Sequence, residues 1–199
     1  MVSPQSDGWS TGVRVFEYQH DGLTSVNISS DSRYIAVGAK DSSLLVFDVA
    51  TGGIRHTLTG HAVAIACMSF SPDNTTIVSG GDDTVRVWDV ITGASLYTFT
   101  GHQDLVTSVA ISSNGSVAVS GSHDYTVRTW DLVNGTARHT LTGHGPIYTV
   151  AFSPDDALIM SGSDDGSIQL WNVTTGKIDH SMDHKLGIHS MALSRDGII

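Results

Sequence analysis

Glutamate is all but missing from this 199-residue chain: Glu17 is the only one among 20 acidic residues, and lysine occurs three times. Charged residues that favour helix interiors are therefore scarce. Ser, Thr, Gly, Asp and Val abound instead, so strands and turns are expected and almost no helix. Three Lys and seven Arg against the 20 acidic residues leave a formal net charge of −10. Such a balance works against binding a phosphate backbone, whose affinity comes from Lys and Arg displacing counterions. Nucleic acid is not an expected partner. The acidity favours solubility, because the Asp residues are spread over turns rather than gathered in one tail.

Cysteine is nearly absent as well. Cys67 stands alone in the apolar run AVAIACMSF, so no intrachain disulfide can form; a buried small hydrophobe is its expected role, and a reducing compartment fits. No long hydrophobic run exists: residues 63–68 are far too few to cross a bilayer, so no membrane span is expected. Residues 1–12 lack the charged start and apolar centre of a signal peptide, which points to an intracellular location, cytoplasmic or nuclear. Five triplets, beginning at Asn27, Asn74, Asn114, Asn134 and Asn172, satisfy the glycosylation acceptor pattern, but a chain so rich in Asn turns and Ser/Thr produces them by composition. Despite ten histidines, ligand spacings such as Cys-x-x-Cys or His-Glu-x-x-His are missing, and no glycine-rich phosphate loop opens a helix. Neither a metal nor a cofactor is expected.

What the chain has in quantity is repetition. The stretch from Gly101-His102 to Trp130-Asp131 recurs as Gly60-His61 to Trp88-Asp89 and Gly143-His144 to Trp171-Asn172, with a worn copy from His20 to Phe47-Asp48. His20, His61, His102, His144 and His184 are 41, 41, 42 and 40 residues apart, and Phe47, Trp88, Trp130 and Trp171 are 41, 42 and 41 apart. Alternating apolar residues predict strands near 23–28, 33–38, 43–48 and 53–58 in the first unit, with turn-favouring clusters between them. Units therefore run at about 20–59, 60–100, 101–142 and 143–183, with a partial one at 184–199. Four strands per period of about 40 to 45 residues, bounded by Gly-His and Trp-Asp, is the pattern of a propeller.

On these residues the chain resembles WD-repeat β-propeller proteins over residues 12–199, after a flexible leader at 1–11. The resemblance implies an all-β fold of four-stranded antiparallel blades. An isolated strand at 12–18 would be the outer strand of a closing blade, four complete blades would follow, and a fifth would begin at 188–193 and break off at Ile198-Ile199. An incomplete ring leaves open strand edges, so a longer ring of seven blades, or closure by another copy, is expected.

Several repeats hold a Ser, a His and an Asp that invite a hydrolase reading: His102, Ser120 and Asp124; His144, Ser161 and Asp165; and His61 and Ser79 with either Asp82 or Asp83. A catalytic triad is needed once per active site, whereas a structural network is needed once per blade. Repetition, and the lack of a nucleophile elbow, favour structure. The resemblance likewise implies a buried set in each blade joining these residues to Trp88, Trp130 and Trp171. In the first unit Val37 and Phe47 replace the Ser and the Trp, so the network there is expected to shrink to His20 and Asp41.

The resemblance further implies that partners bind at the end of the ring near its central channel, through residues flanking the middle of the inner strand and the residue before the network Asp. Position by position these are Thr24 and Lys40, then Ala64, Ala66 and Asp82, in the first two repeats. In the later ones they are Leu105, Thr107 and His123, then Pro146, Tyr148 and Asp164, and finally His189. Leu105, His123 and Tyr148 lead this set, because an aromatic and an apolar residue at a concave centre can anchor a peptide. The expected function is a non-catalytic interaction scaffold for protein or peptide partners in a larger complex. The alternative is a hydrolase-like enzyme with its active site on propeller loops or in further blades.

Overall fold

A computed structural model of the chain describes residues 22–143 and 145–191. The expected leader, the strand at 12–18, His20, His144 and the segment 192–199 lie outside the described residues.

Sixteen strands and no helix make up the described structure. They form four antiparallel sheets, each of four strands in chain order. The first blade comprises β1 (Leu23–Ile28), β2 (Tyr34–Ala39), β3 (Leu44–Asp48) and β4 (Ile54–Leu58). The second comprises β5 (Cys67–Phe70), β6 (Thr76–Gly80), β7 (Val85–Asp89) and β8 (Ser95–Phe99). The third comprises β9 (Val106–Ile111), β10 (Val117–Ser122), β11 (Thr126–Asp131) and β12 (Thr136–Thr142). The fourth comprises β13 (Ile147–Phe152), β14 (Leu158–Ser163), β15 (Ser167–Asn172) and β16 (Ile178–Asp183). β1 lies beside β5, β5 beside β9 and β9 beside β13. The first strand of each blade is thus the inner one, and the blades fan outward from it as in a propeller.

Turn chemistry explains the strand ends. After each third strand, the side chain that follows the aromatic closes the hairpin: Asp89 Oδ1 accepts the N–H groups of Ile91 and Thr92 at 2.9 and 2.7 Å. Asn172 does the same for Thr174 and Thr175 at 3.1 and 2.9 Å. Only an oxygen acceptor is required, so Asn substitutes for Asp without loss of the turn. A glycine with positive φ completes it, Gly93 at 74° and Gly176 at 66°. Bulges recur opposite the aromatic, where β3, β7, β11 and β15 pair with the outer strand.

At the neighbouring turns, between the first and second strands, the blades are tied to one another. Asn74 Oδ1 accepts the N–H of Ser30 at 2.8 Å, and Asp156 takes the N–H and hydroxyl of Ser113 at 2.9 and 2.7 Å. Asn74, one of the five acceptor-pattern asparagines, is thus engaged between two blades.

Packing between blades follows one rule. A glycine on each second strand, Gly38, Gly80, Gly121 or Gly162, receives the apolar residue that opens the next blade: Ile65, Val106, Ile147 or Ile188. A β-carbon at Gly121 would lie 2.5 Å from Cγ2 of Ile147, closer than any real contact. Only glycine lets the sheets approach so closely. Around each joint a core forms: Leu44, Val46, Ile65 and Trp88 between the first two blades, Val85, Phe99, Val109 and Trp130 between the next two, and Val127, Leu141, Ile159 and Trp171 between the last two.

The expected fifth-blade strand at 188–193 is not formed over its described part: residues 188–191 belong to no strand. Ile188 nevertheless docks as a blade opener, its side chain on Gly162 and its N–H donating to the Ser163 carbonyl at 2.8 Å. The joint is made without the ladder.

Replacing Gly121 by Ala is expected to destabilise the fold by about 1–3 kcal/mol, read as a lower urea midpoint. Combining it with Ile147→Ala should be markedly non-additive, because the two side chains share one space. An unchanged midpoint, or strict additivity, contradicts the joint as described.

Candidate functional site

The end of the ring that carries the Gly-His loops gathers the polar residues of each repeat. In the third blade the Trp130 indole N–H donates to Ser120 Oγ at 2.9 Å, and Ser120 Oγ lies 2.7 Å from His102 Nε2. On the other side of the ring, His102 Nδ1 sits 2.9 Å from Asp124 Oδ2. One assignment satisfies every atom: indole to hydroxyl, hydroxyl to Nε2, and Nδ1–H to carboxylate, with the imidazole neutral. Asp124 also accepts the N–H of Gln103 at 2.9 Å and the Thr126 hydroxyl at 2.6 Å. The second blade repeats the set with Trp88, Ser79, His61 and Asp82, at 2.8, 2.9 and 2.9 Å in turn. Asp82, not Asp83, holds the network place. The residue before it is therefore Gly81, and Asp82 leaves the surface set.

In the fourth blade Trp171 donates to Ser161 Oγ at 2.9 Å, and Asp165 caps the turn by accepting the N–H of Ser167 at 2.9 Å. Its histidine, His144, is outside the described residues. Ser161 there donates to the carbonyl of Gln169 at 3.5 Å.

Burial governs the electrostatics. It pushes the pKa values of His61 and His102 below the ordinary histidine value, outweighing the aspartates that favour the charged form. Burial also opposes ionisation of Asp82 and Asp124. The hydroxyls of Thr84 and Thr126, the N–H groups of Ala62 and Gln103 and the two histidines outweigh it, so both carboxyls lie below the usual carboxylate range. Burial pushes the Cys67 thiol up to about 12, and Cys67 is an unreactive thiol that faces the carbonyls of Gly80 and Val106 at 3.6 Å.

Ser, His and Asp at these distances have the connectivity of a hydrolase triad, but not its access. Ser120 is 0% and His102 3% exposed. The serine oxygen already accepts an indole N–H, and the same set is present in the neighbouring blade. A nucleophile closed to substrate and repeated per blade holds structure together; it does not attack a carbonyl.

The first blade keeps Asp41 and replaces the serine and the tryptophan of the set together, along with the facing arginine. Val37, Phe47 and Leu45 stand where the second blade has Ser79, Trp88 and Arg86, and they form a buried apolar cluster with Ile35 packed against it. Exchanging the serine and the tryptophan together leaves no buried indole without an acceptor. Asp41 still shapes its turn, accepting the Ser43 hydroxyl at 2.6 Å.

The residues expected at the surface fall into two kinds. The Thr24 and Thr107 hydroxyls are engaged between blades, donating to the carbonyls of Ile65 and Ile147 at 2.5 and 2.6 Å. Lys40 is exposed, with its stem lying over Gly22. Leu105 is half-buried, and its carbonyl accepts the N–H of His123 at 3.0 Å. Tyr148 occupies the inner-strand place of Thr107 in the next blade and makes a different contact. Its ring meets His123 edge-on at 5.2 Å and His189 at 4.7 Å. Three rings from two blades and the following segment thus stand in one row, with the exposed Asp164 on the turn beside them. Among the described residues no group of His, Cys, Asp and Glu could hold a metal ion, and no helix is long and apolar enough to cross a membrane.

Sequence reasoning missed the glycine sockets, although Gly38, Gly80, Gly121 and Gly162 are 42, 41 and 41 residues apart. It also missed Thr84, Thr126 and Ser167, which follow each network Asp by two residues. Against known protein families, the chain matches the model of the WD domain, G-beta repeat, four times, over residues 12–48, 52–89, 93–131 and 135–172. Each match ends on the Asp or Asn that closes the outer hairpin.

The network makes stability depend on pH with a definite sign. His61 and His102 have lowered folded pKa values, so the unfolded chain takes up protons first. Their contribution is complete above about pH 6.5 and is lost as pH falls through the window below it. Asp82 and Asp124, also lowered, hold their contribution until pH falls below about 3.9 and lose it toward their folded values. The urea midpoint is expected to be lower at pH 5.5 than at pH 7.5, and the difference to shrink when His61 and His102 are both replaced by Gln. A midpoint that rises on acidification contradicts the neutral assignment.

Proposed function

Because the chain belongs to the WD-repeat family, whose repeats serve protein interaction, we propose that it is a non-catalytic scaffold whose Gly-His end binds protein or peptide partners within a larger complex. The observation that carries this reading is the row of His123, Tyr148 and His189. These residues differ from blade to blade, lie outside the repeated network and form one contiguous run of rings. Half-buried aromatic side chains at a concave centre are the groups that dominate interface energy. Leu105 adds an apolar neighbour on the next loop. The buried state of Ser79, Ser120 and Ser161 favours this reading over a hydrolase.

Two further parts belong to the proposal. The outward face of the first blade exposes Val26 at 67% and Ile28 at 58%, positions that the preceding blade covers in the later blades, and we assign this face to the remaining blades of a ring or to another copy. An unpaired, unreactive Cys67 and the absence of an apolar run of membrane length fit action inside the cell.

The reading is tested by selecting binders to the chain from a displayed peptide library, then measuring their affinity for Tyr148→Ala and Leu105→Ala variants of unchanged circular dichroism. Selected peptides are expected to lose about tenfold or more in affinity for one or both variants. Binders indifferent to both substitutions contradict it.

A further inference from the structure

Resting on that reading, we infer that the partner's anchoring element is a basic side chain, an Arg or Lys in an extended segment, seated on the Tyr148 ring between His123 and His189 with its charge met by Asp164. The first support is the shape of the row. His123 presents its edge to Tyr148 at an interplanar angle of 74°, and His189 tilts against the ring at 56°. The rings flank Tyr148 rather than cap it, and its side chain stays half-exposed. A flat aromatic surface with a wet rim fits the alkyl stem of Arg or Lys and attracts the cation that ends it.

The second support is Asp164. It is exposed, and its N–H donates to the Pro146 carbonyl at 2.9 Å, which places the turn beside the strand that carries Tyr148. Its Oδ1 would lie 3.2 Å from a β-carbon on Gly187, two residues before His189. Because residue 187 has no side chain, none crowds the carboxylate from that position. It has no hydrogen-bond partner among the described residues that would compete with a ligand.

The third support is the charge of the whole end. Seven aspartates lie in its turns and loops between residues 40 and 167. Among the described residues the exposed cations there are Lys40, three blades away, and Lys185. The guanidiniums of Arg86 and Arg128 are folded beneath Gly60 and Gly101, and that of Arg86 lies over the Trp88 ring at 5.8 Å. An anionic segment would meet Asp104 and Asp164 with Lys185 as the nearby cation, whereas a basic one meets the larger number of carboxylates and is drawn in and held. An apolar anchor alone would leave the Asp164 carboxylate to be desolvated without a partner.

The test uses the full chain and three synthetic pentapeptides, capped at both ends and identical except for a central Arg, Lys or Glu. Binding is followed by shifts in backbone amide resonances during titration. The Arg and Lys peptides are expected to shift the signals of Tyr148, Asp164 and His189 in a saturable way, and the Glu peptide to leave them unmoved. Asp164→Asn should weaken the Arg peptide about fivefold or more, whereas Asp179→Asn on an outer strand should change nothing. Raising salt from about 50 to about 300 mM should weaken binding further. Equal or tighter binding of the Glu peptide, or an Arg peptide indifferent to Asp164→Asn, overturns the basic-anchor inference. Either result leaves the scaffold reading to stand or fall on the library experiment, in which peptides that depend on Tyr148 but carry no basic residue would separate the two.

Discussion

Close approach of one sheet to the next is the constraint on which this structure depends. Each joint consists of a glycine with no side chain and an apolar residue, Ile or Val, that enters the space it leaves, as at Gly121 and Ile147. A protein interior is packed to crystal density, so a contact of this kind tolerates neither an added methyl nor a missing one. It fixes the spacing of the inner strands, and through them the positions of the loops at the Gly-His end. The threonine bonds from Thr24 and Thr107 to the next blade's opening residue reinforce the same joint from the channel side.

The buried polar set has a different task. It binds the loop histidine to the sheet below it and to the turn beside it, and it does so with a directional chain in which each proton has one place. A set of this kind is stabilising when complete and costly when one member is missing. The first blade illustrates the point by what it does instead: Val37, Leu45 and Phe47 change together, and a dry cluster replaces the bonds. Loss of the serine alone would orphan a buried indole. Loss of the serine and the tryptophan together does not.

Much of this was legible in the sequence because the repeat supplies its own controls. Alternation and turn residues locate the first-blade strands to within a residue, as with β1 at Leu23–Ile28 and β3 at Leu44–Asp48. Comparison of repeats separates Ser120 from a nucleophile, and the burial of that serine gives the physical reason. Legibility ends where a residue's role is set across a joint. Thr107 reads as a surface residue by position, but its hydroxyl reaches a carbonyl forty residues further on, and no local pattern announces that. The segment after His184 has the alternation of a strand. At 188–191 it makes the docking contact and no ladder. The choice between Asp82 and Asp83 was likewise open until the turn geometry placed Asp82 against His61.

The central claim is a division of labour: repeated polar residues hold the blades, and unrepeated ones at the same end are free to bind. Urea unfolding of two single variants tests it directly. Ser120→Ala strands a buried indole and imidazole and should lower the unfolding free energy by about 1–3 kcal/mol. His189→Ala removes an exposed ring outside every network and should change it by less than about 0.5 kcal/mol. Equal losses, or a larger loss for His189→Ala, would contradict the account.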